Sequence, residues 1–213
     1  MIEENKNYYN NVAPIFRSQS DKSYKGNYLA YSSNRVNKGA TEDLIKAFNL
    51  DNNFKVLNSR ANGDCFFESM SQALMIHGIT NISTINELRS EVSKFGTIDY
   101  LKSLQEIYKS ERRYHRSVHL NEYLANVNLE NISFNSRIES EFKKWMNTQN
   151  YWADEFAINA LEQKYSIKIL PFSTETNSFS CFGNDNGSNT ISPNLYFMLN
   201  HQGAHYELIT FNG

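Results

Sequence analysis

Two short stretches of this chain hold side chains that could carry out covalent chemistry together. The first is Asn62-Gly63-Asp64-Cys65-Phe66-Phe67. Asn, Gly and Asp tolerate tight turns and left-handed backbone, and Asp64 can also cap a helix. From Phe66 the apolar positions Met70, Ala73 and Leu74 recur at helical spacing, which predicts a helix running to about His77 and stopped by Gly78. Cys65 then falls at a helix N-terminus. Unpaired N–H groups and the positive end of the helix dipole favour a thiolate there and supply donors for an oxyanion. Such a site predicts a thiol pKa lowered from about 8.5 into a range of roughly 3.5–7.5. A cysteine beside two phenylalanines can equally be a small buried hydrophobe.

The second stretch is His205-Tyr206-Glu207-Leu208-Ile209-Thr210-Phe211, whose β-branched and aromatic content predicts a strand. The period of two along a strand turns His205 and Glu207 to the same side and Tyr206 to the other. A carboxylate in that position can accept the Nδ1–H of the imidazole, fixing its tautomer and stabilising the imidazolium. A nucleophile, a base and an orienting acid are then all present, with the base far from the cysteine in sequence. His201 is the rival base. It lies in the turn before His205 and has no acid two residues further on.

With these residues in place the sequence resembles the ovarian-tumour (OTU) cysteine proteases, most of which are deubiquitinases. That family's nucleophile motif, near Asp-Gly-Asn/Asp-Cys followed by large apolar residues, is matched by Asn62-Gly63-Asp64-Cys65-Phe66-Phe67. Its closing motif, a His followed by an aromatic and then a polar or acidic residue, is matched by His205-Tyr206-Glu207. Between them Trp152-Ala153-Asp154-Glu155 begins an amphipathic segment that leads into the strand-like Ile167-Lys168-Ile169-Leu170, as in the family. The three matches are in the family's order and span most of the chain. Two positions depart from it: Asn62 stands where the family usually has Asp, and Glu207 where Asp or Asn is common.

The resemblance implies an α/β (α+β) papain-like OTU fold, with a helical part on a small, mostly antiparallel sheet flanked by helices. It implies hydrolysis of peptide or isopeptide bonds after the C-terminal glycine of ubiquitin. Cys65 would be the nucleophile, His205 the base, Glu207 its orienter, and Asn62, Gly63 and Asp64 the loop that shapes the oxyanion site. Residues 97–150 would form a helical arm against ubiquitin, with Tyr100, Tyr108, Arg112, Arg113 and Tyr114 as candidate contacts. The basic residues there also fit a solvated helix end. Ubiquitin, polyubiquitin or a ubiquitin-like modifier is the implied partner, and no cofactor or metal is implied. Two rival functions remain: a ubiquitin-binding module that has lost catalysis, suggested by Asn62 and Glu207, and a peptidase for a viral polyprotein or a ubiquitin-like modifier.

The elements that must position these residues follow from the same patterning. Thr41 reads as an N-cap, with Glu42 and Asp43 in the first turn and Leu44, Ile45 and Phe48 behind them. Phe54–Leu57 reads as a strand delivering the chain to the nucleophile loop. Ile85 to Trp145 is helical in period, and the Trp152 segment continues as a helix. Leu195–Leu199 is a nearly continuous apolar run, expected of a strand buried on both faces. Residues 1–40 are polar, without sustained periodicity, and read as an extension to a catalytic domain over 41–213.

Composition bounds the rest. The chain has 213 residues, 40% hydrophobic and 14% aromatic, enough for one substantial core. A net charge of −2 is not that of a nucleic-acid binder. Its 2 cysteines, Cys65 and Cys181, form neither a disulfide framework nor a metal set. No N-terminal secretory signal and no 18-residue apolar stretch is found, so a cytoplasmic monomer is expected. The abundance of Asn, Lys, Ile, Tyr and Ser fits an AT-rich genome, such as that of an intracellular bacterium or a large virus, and hence a pathogen effector acting in the host cytosol.

Overall fold

A computed structural model describes residues 36–50, 52–77, 79, 84–111, 118–129, 135–173, 178–179 and 196–211. Arg112, Arg113, Tyr114 and Cys181 lie outside the described residues, as do residues 1–35.

The chain enters at Val36, which bridges Leu57, and at once forms helix α1, Lys38–Phe48. Its N-cap is Asn37, whose side chain accepts from the Ala40 N–H at 3.2 Å. Thr41, expected as the cap, lies one turn inside the helix. Its hydroxyl donates to the Asn37 carbonyl at 2.7 Å and accepts from the Val56 N–H at 3.0 Å, stitching α1 to strand β1, Phe54–Leu57. Part of the polar segment before residue 41 therefore belongs to the folded domain.

Helix α2, Cys65–Ile76, follows the nucleophile loop. Then come α3 (Ile85–Lys94), α4 (Ile98–Glu111), α5 (Val118–Asn126) and α6 (Asn135–Met146). Helix α7, Glu155–Tyr165, begins three residues after Trp152, which precedes the helix instead of lying in it. Asp154 caps α7 by accepting from the N–H groups of Phe156 and Ala157 at 3.1 and 3.2 Å. The remaining strands are β2 (Lys168–Ser173), β3 (Ser178–Phe179), β4 (Tyr196–Gln202) and β5 (His205–Phe211).

The described strands make one five-stranded sheet in the order β1-β5-β4-β2-β3. It is mostly antiparallel, as expected, with β2 and β4 the parallel exception. A parallel pair cannot be joined by a tight hairpin, and here β3 and a long connection intervene before β4 arrives. Side chains alternate across the sheet between two cores. Leu57, Ile169, Phe197, Leu199, Tyr206 and Leu208 face the layer built by α2 to α7. Val56, Leu170, Phe172, Met198 and Ile209 face α1, where Leu44 is fully buried. The strand β4 is thus buried on both sides, which accounts for its apolar run.

Helix α2 is the hinge of the architecture, because Phe66, Phe67, Met70, Ala73 and Leu74 are all buried and the helix packs on β5. Each such large apolar side chain stabilises the fold by about 1.5–3 kcal/mol. That packing brings the Cys65 thiol against the backbone of β5 and of the turn before it. Among the described residues no helix is long and apolar enough to cross a membrane, and no group of three or more His, Cys, Asp or Glu side chains could hold a metal ion.

Candidate active site

The nucleophile loop is shaped by a close approach of backbone to backbone. Gly63 has φ +87, and a Cβ there would lie 2.1 Å from the carbonyl oxygen of Gln149 and 3.1 Å from the indole nitrogen of Trp152. Only glycine fits, for both dihedral and steric reasons. Gly63→Ala should therefore lower stability by roughly 2–4 kcal/mol, since left-handed backbone strain alone accounts for about 1–3. It should also push the loop off Gln149 and displace the thiol. Urea denaturation and Cys65 alkylation measure the two effects; a Gly63→Ala protein matching the parent in both would refute this account of the turn.

Asn62 closes the loop, its side-chain oxygen accepting from the Asp64 N–H at 3.3 Å. An aspartate would use the same oxygen in the same way. Asp64 occupies the N-cap position of α2 but makes no side-chain cap bond. Its carboxylate is committed elsewhere. One oxygen accepts from Arg89 Nε and Nη2 at 3.0 and 2.7 Å, and the other from Gln149 Nε2 at 2.8 Å.

Arg89 is the residue that sequence reasoning missed. It is 1% exposed, stacks over Phe67 at 4.3 Å, and also donates to the carbonyls of Gly63, Met146 and Tyr151. Burial pulls its guanidinium below the ordinary pKa, and the hydrogen bond and charge of Asp64 oppose that. One guanidinium thus ties the nucleophile loop to α3 and to the segment between α6 and α7. A signal was present: Arg89 falls on the apolar stripe Ile85, Leu88, Val92 of its helix, where a charge needs a buried partner.

Cys65 is the first residue of α2 and 7% exposed. Its Sγ lies 3.8 Å from the carbonyl oxygen of Ala204, the residue before His205. It also receives a backbone hydrogen bond from Tyr206, the residue after it. The thiol therefore sits against the backbone on both sides of His205. Its pKa is raised, not lowered as the helix position alone predicts. Burial is the larger effect, outweighing backbone hydrogen bonds from Tyr206, Phe66 and Cys65 itself, and the neighbouring Asp64 charge adds to it.

His205 Nε2 lies 3.5 Å from Ser59 Oγ and 4.0 Å from Glu207 Oε1. Ser59 already donates its hydroxyl proton to the Tyr206 carbonyl, so it can only accept from the ring. A carboxylate likewise accepts. With both neighbours able to accept, the surroundings of Nε2 suit the tautomer that carries its proton there and leaves Nδ1 as an acceptor. The ring nitrogen 4.0 Å from Glu207 Oε1 is Nε2.

Glu207 is 3% exposed and shares the α1 side of the sheet with His205, as the strand period requires. Its hydrogen bonds go to two amides: Asn37 Nδ2 donates to Oε1 at 2.9 Å and Asn200 Nδ2 to Oε2 at 3.1 Å. At 4.0 Å its Oε1 lies beyond direct hydrogen-bond distance of His205 Nε2. His201 instead stacks on Tyr206, with ring centroids 4.3 Å apart. Tyr206 packs edge-on against Phe66.

The candidate substrate contacts divide. Tyr100 stacks on Phe156 at 3.8 Å and donates to Asp154, so ring and hydroxyl are both committed inside the fold and it is a brace for the α7 cap. Tyr108 is half-buried against the main core. Arg112, Arg113 and Tyr114 lie outside the described residues.

The thiol thus sits at a helix N-terminus against the backbone on either side of an imidazole, and a buried carboxylate lies 4.0 Å from that imidazole. No protein-family model matches the chain, and no curated protein does. Solved structures do match. An OTU deubiquitinase from Wolbachia pipientis wMel is 16% identical, over 77% of this chain and 92% of that one, with a TM-score of 0.48. An OTU domain in complex with ubiquitin is 16% identical over 75% and 70%, with a TM-score of 0.42. The viral OTU domain protease from Farallon virus is 12% identical over 74% and 84%, with a TM-score of 0.42.

Proposed function

We propose that this chain is a cysteine-dependent deubiquitinase, hydrolysing peptide or isopeptide bonds after the C-terminal glycine of ubiquitin. The observation that carries the reading is the seating of the Cys65 thiol at the start of α2, flanked by the backbone on either side of His205. Ubiquitin as substrate follows from the three ordered motif matches in the sequence.

In this mechanism His205 Nδ1 takes the proton from Cys65 Sγ, and the thiolate attacks the glycine carbonyl. The Cys65 N–H, which as the first of its helix has no intrahelical acceptor, holds the oxyanion together with a donor from the Asn62–Asp64 loop. The imidazolium then protonates the departing lysine amine, leaving a thioester on Cys65. His205 next takes a proton from water, the hydroxide adds to the thioester, and the thiol leaves reprotonated. Glu207 supplies the negative charge behind the imidazolium. Because burial keeps the thiol protonated at rest, the base is needed at the first step.

A second reading, a ubiquitin-binding module without catalysis, is favoured by that same raised thiol pKa. A ubiquitin derivative with an electrophile at its C-terminus separates the two. It should label Cys65 in the parent and in His201→Ala within minutes, and His205→Ala at least 10-fold more slowly, since a protonated thiol is a poor nucleophile. In His205→Ala the labelling rate should climb with pH about tenfold per unit, and continue past the ordinary thiol range, because the folded-state pKa lies above it. Binding of ubiquitin with no labelling at any pH leaves only the second reading standing.

A further inference from the structure

We infer that Asn37 is a positioning residue for the His205–Glu207 pair, acting through the carboxylate oxygen that faces the imidazole. This rests on the reading of Cys65 and His205 given above. The oxygen that lies 4.0 Å from His205 Nε2 is Glu207 Oε1, and it is this oxygen that accepts from Asn37 Nδ2 at 2.9 Å. The direction of the bond is not adjustable. Asn37 Oδ1 is occupied as the N-cap of α1, accepting from the Ala40 N–H at 3.2 Å, so the other end of the amide must be the donor.

The donor is also held firmly in space. The Asn37 N–H donates to the Val56 carbonyl at 2.8 Å, and the Asn37 carbonyl accepts from the Thr41 N–H at 3.0 Å and from the Thr41 hydroxyl at 2.7 Å. Main chain and side chain together lock it between β1 and α1. Asn200 takes the second carboxylate oxygen from the neighbouring strand β4. A glutamate is one methylene longer than the aspartate common at this position in OTU proteases and could close directly on the ring. The two amides hold it back from the imidazole, and only Asn37 holds the oxygen on the imidazole side. Without that bond, Oε1 would be free to close on Nε2 and turn the imidazole away from the orientation that the proposed proton transfer needs. Asn37 thereby fixes the aim of the base from a position 170 residues away in sequence.

The test separates capping from positioning. Serine caps about as well as asparagine but cannot donate to Glu207 as the amide does. In full-length protein carrying Cys181→Ser, Asn37→Ser should melt close to the parent. It should alkylate Cys65 with iodoacetamide about 10-fold more slowly at pH 7, and turn over ubiquitin–fluorophore with kcat reduced about 10-fold and KM within twofold. Alkylation needs no ubiquitin, so a parent inactive on ubiquitin would remove the substrate assignment while the alkylation comparison still decides the role of Asn37. Parent-rate alkylation by Asn37→Ser, or a parent whose alkylation is indifferent to His205→Ala, overturns the inference. Should Asn37→Ser melt early, the pair Asn37→Asp with Glu207→Gln restores the bond with donor and acceptor exchanged. That pair should recover the melting temperature and alkylate faster than Asn37→Asp alone; a pair that recovers the melting temperature but alkylates no faster would mean the bond is merely structural.

Discussion

On the proposed function, a Cys65→Ala protein should fold like the parent, still bind ubiquitin, and turn over no detectable ubiquitin–fluorophore substrate. The loss should be complete because the nearby hydroxyls of Ser59 and Ser69 are both engaged in donating to the Tyr206 carbonyl and offer no substitute nucleophile. The fold survives because the substitution removes one sulfur from a helix whose anchoring comes from Phe66, Phe67 and Met70, so the change in stability is about 1 kcal/mol. Turnover, urea denaturation and ubiquitin binding measured on one preparation check all three parts. Residual turnover near the parent value, in protein that unfolds cooperatively, would make Cys65 a packing residue.

The largest effect on stability is expected at Arg89. Arg89→Met fills much of the same space but leaves the Asp64 carboxylate buried without its ion-pair partner, at 2.7 Å in the parent. Breaking a buried pair from one side costs about 3–5 kcal/mol. For a domain of this size that lowers the melting temperature by roughly 6–20 °C. Arg89→Met combined with Asp64→Asn should cost less than the sum of the two single changes, because neither charge is then stranded. Strict additivity of the two, or an Arg89→Met protein within 1 kcal/mol of the parent, would show that the pair does not hold the loop. Activity should fall more than stability accounts for, since Arg89 also fixes the Gly63 carbonyl.

What could be read from the sequence was whatever a short window contains. The turn before Cys65, the helix after it, and the shared side of His205 and Glu207 depend on local period and turn chemistry, and the structure has all three. Residues that act across long separations left weaker traces. Asn37 looked like part of a polar extension because its partners, Val56 and Glu207, are remote. Thr41 followed by Glu42 and Asp43 is as good a cap signal as Asn37 followed by Lys38, and only docking against β1 chooses between them. The direction of the thiol pKa was misjudged for a similar reason. Helix position is visible in sequence, whereas the burial that outweighs it comes from packing against β5. The surroundings of His205 Nε2 could not be foreseen either, because Ser59, which lies beside it, is 146 residues away in sequence.

The sheet order has a consequence for how the site comes into being. Strand β5 is the last of the described strands in sequence, yet it is inserted between β1 and β4, pairing Phe54 with Phe211 and Met198 with Ile209. Nearly the whole chain must be present before that slot can be filled, and closing so long a loop delays folding. During synthesis the thiol therefore emerges some 140 residues ahead of its base, and α2 waits without the strand it packs on. Until β5 enters, Cys65 lacks the backbone that surrounds its thiol in the fold, so on the proposed mechanism a nascent or partly folded chain should be inactive.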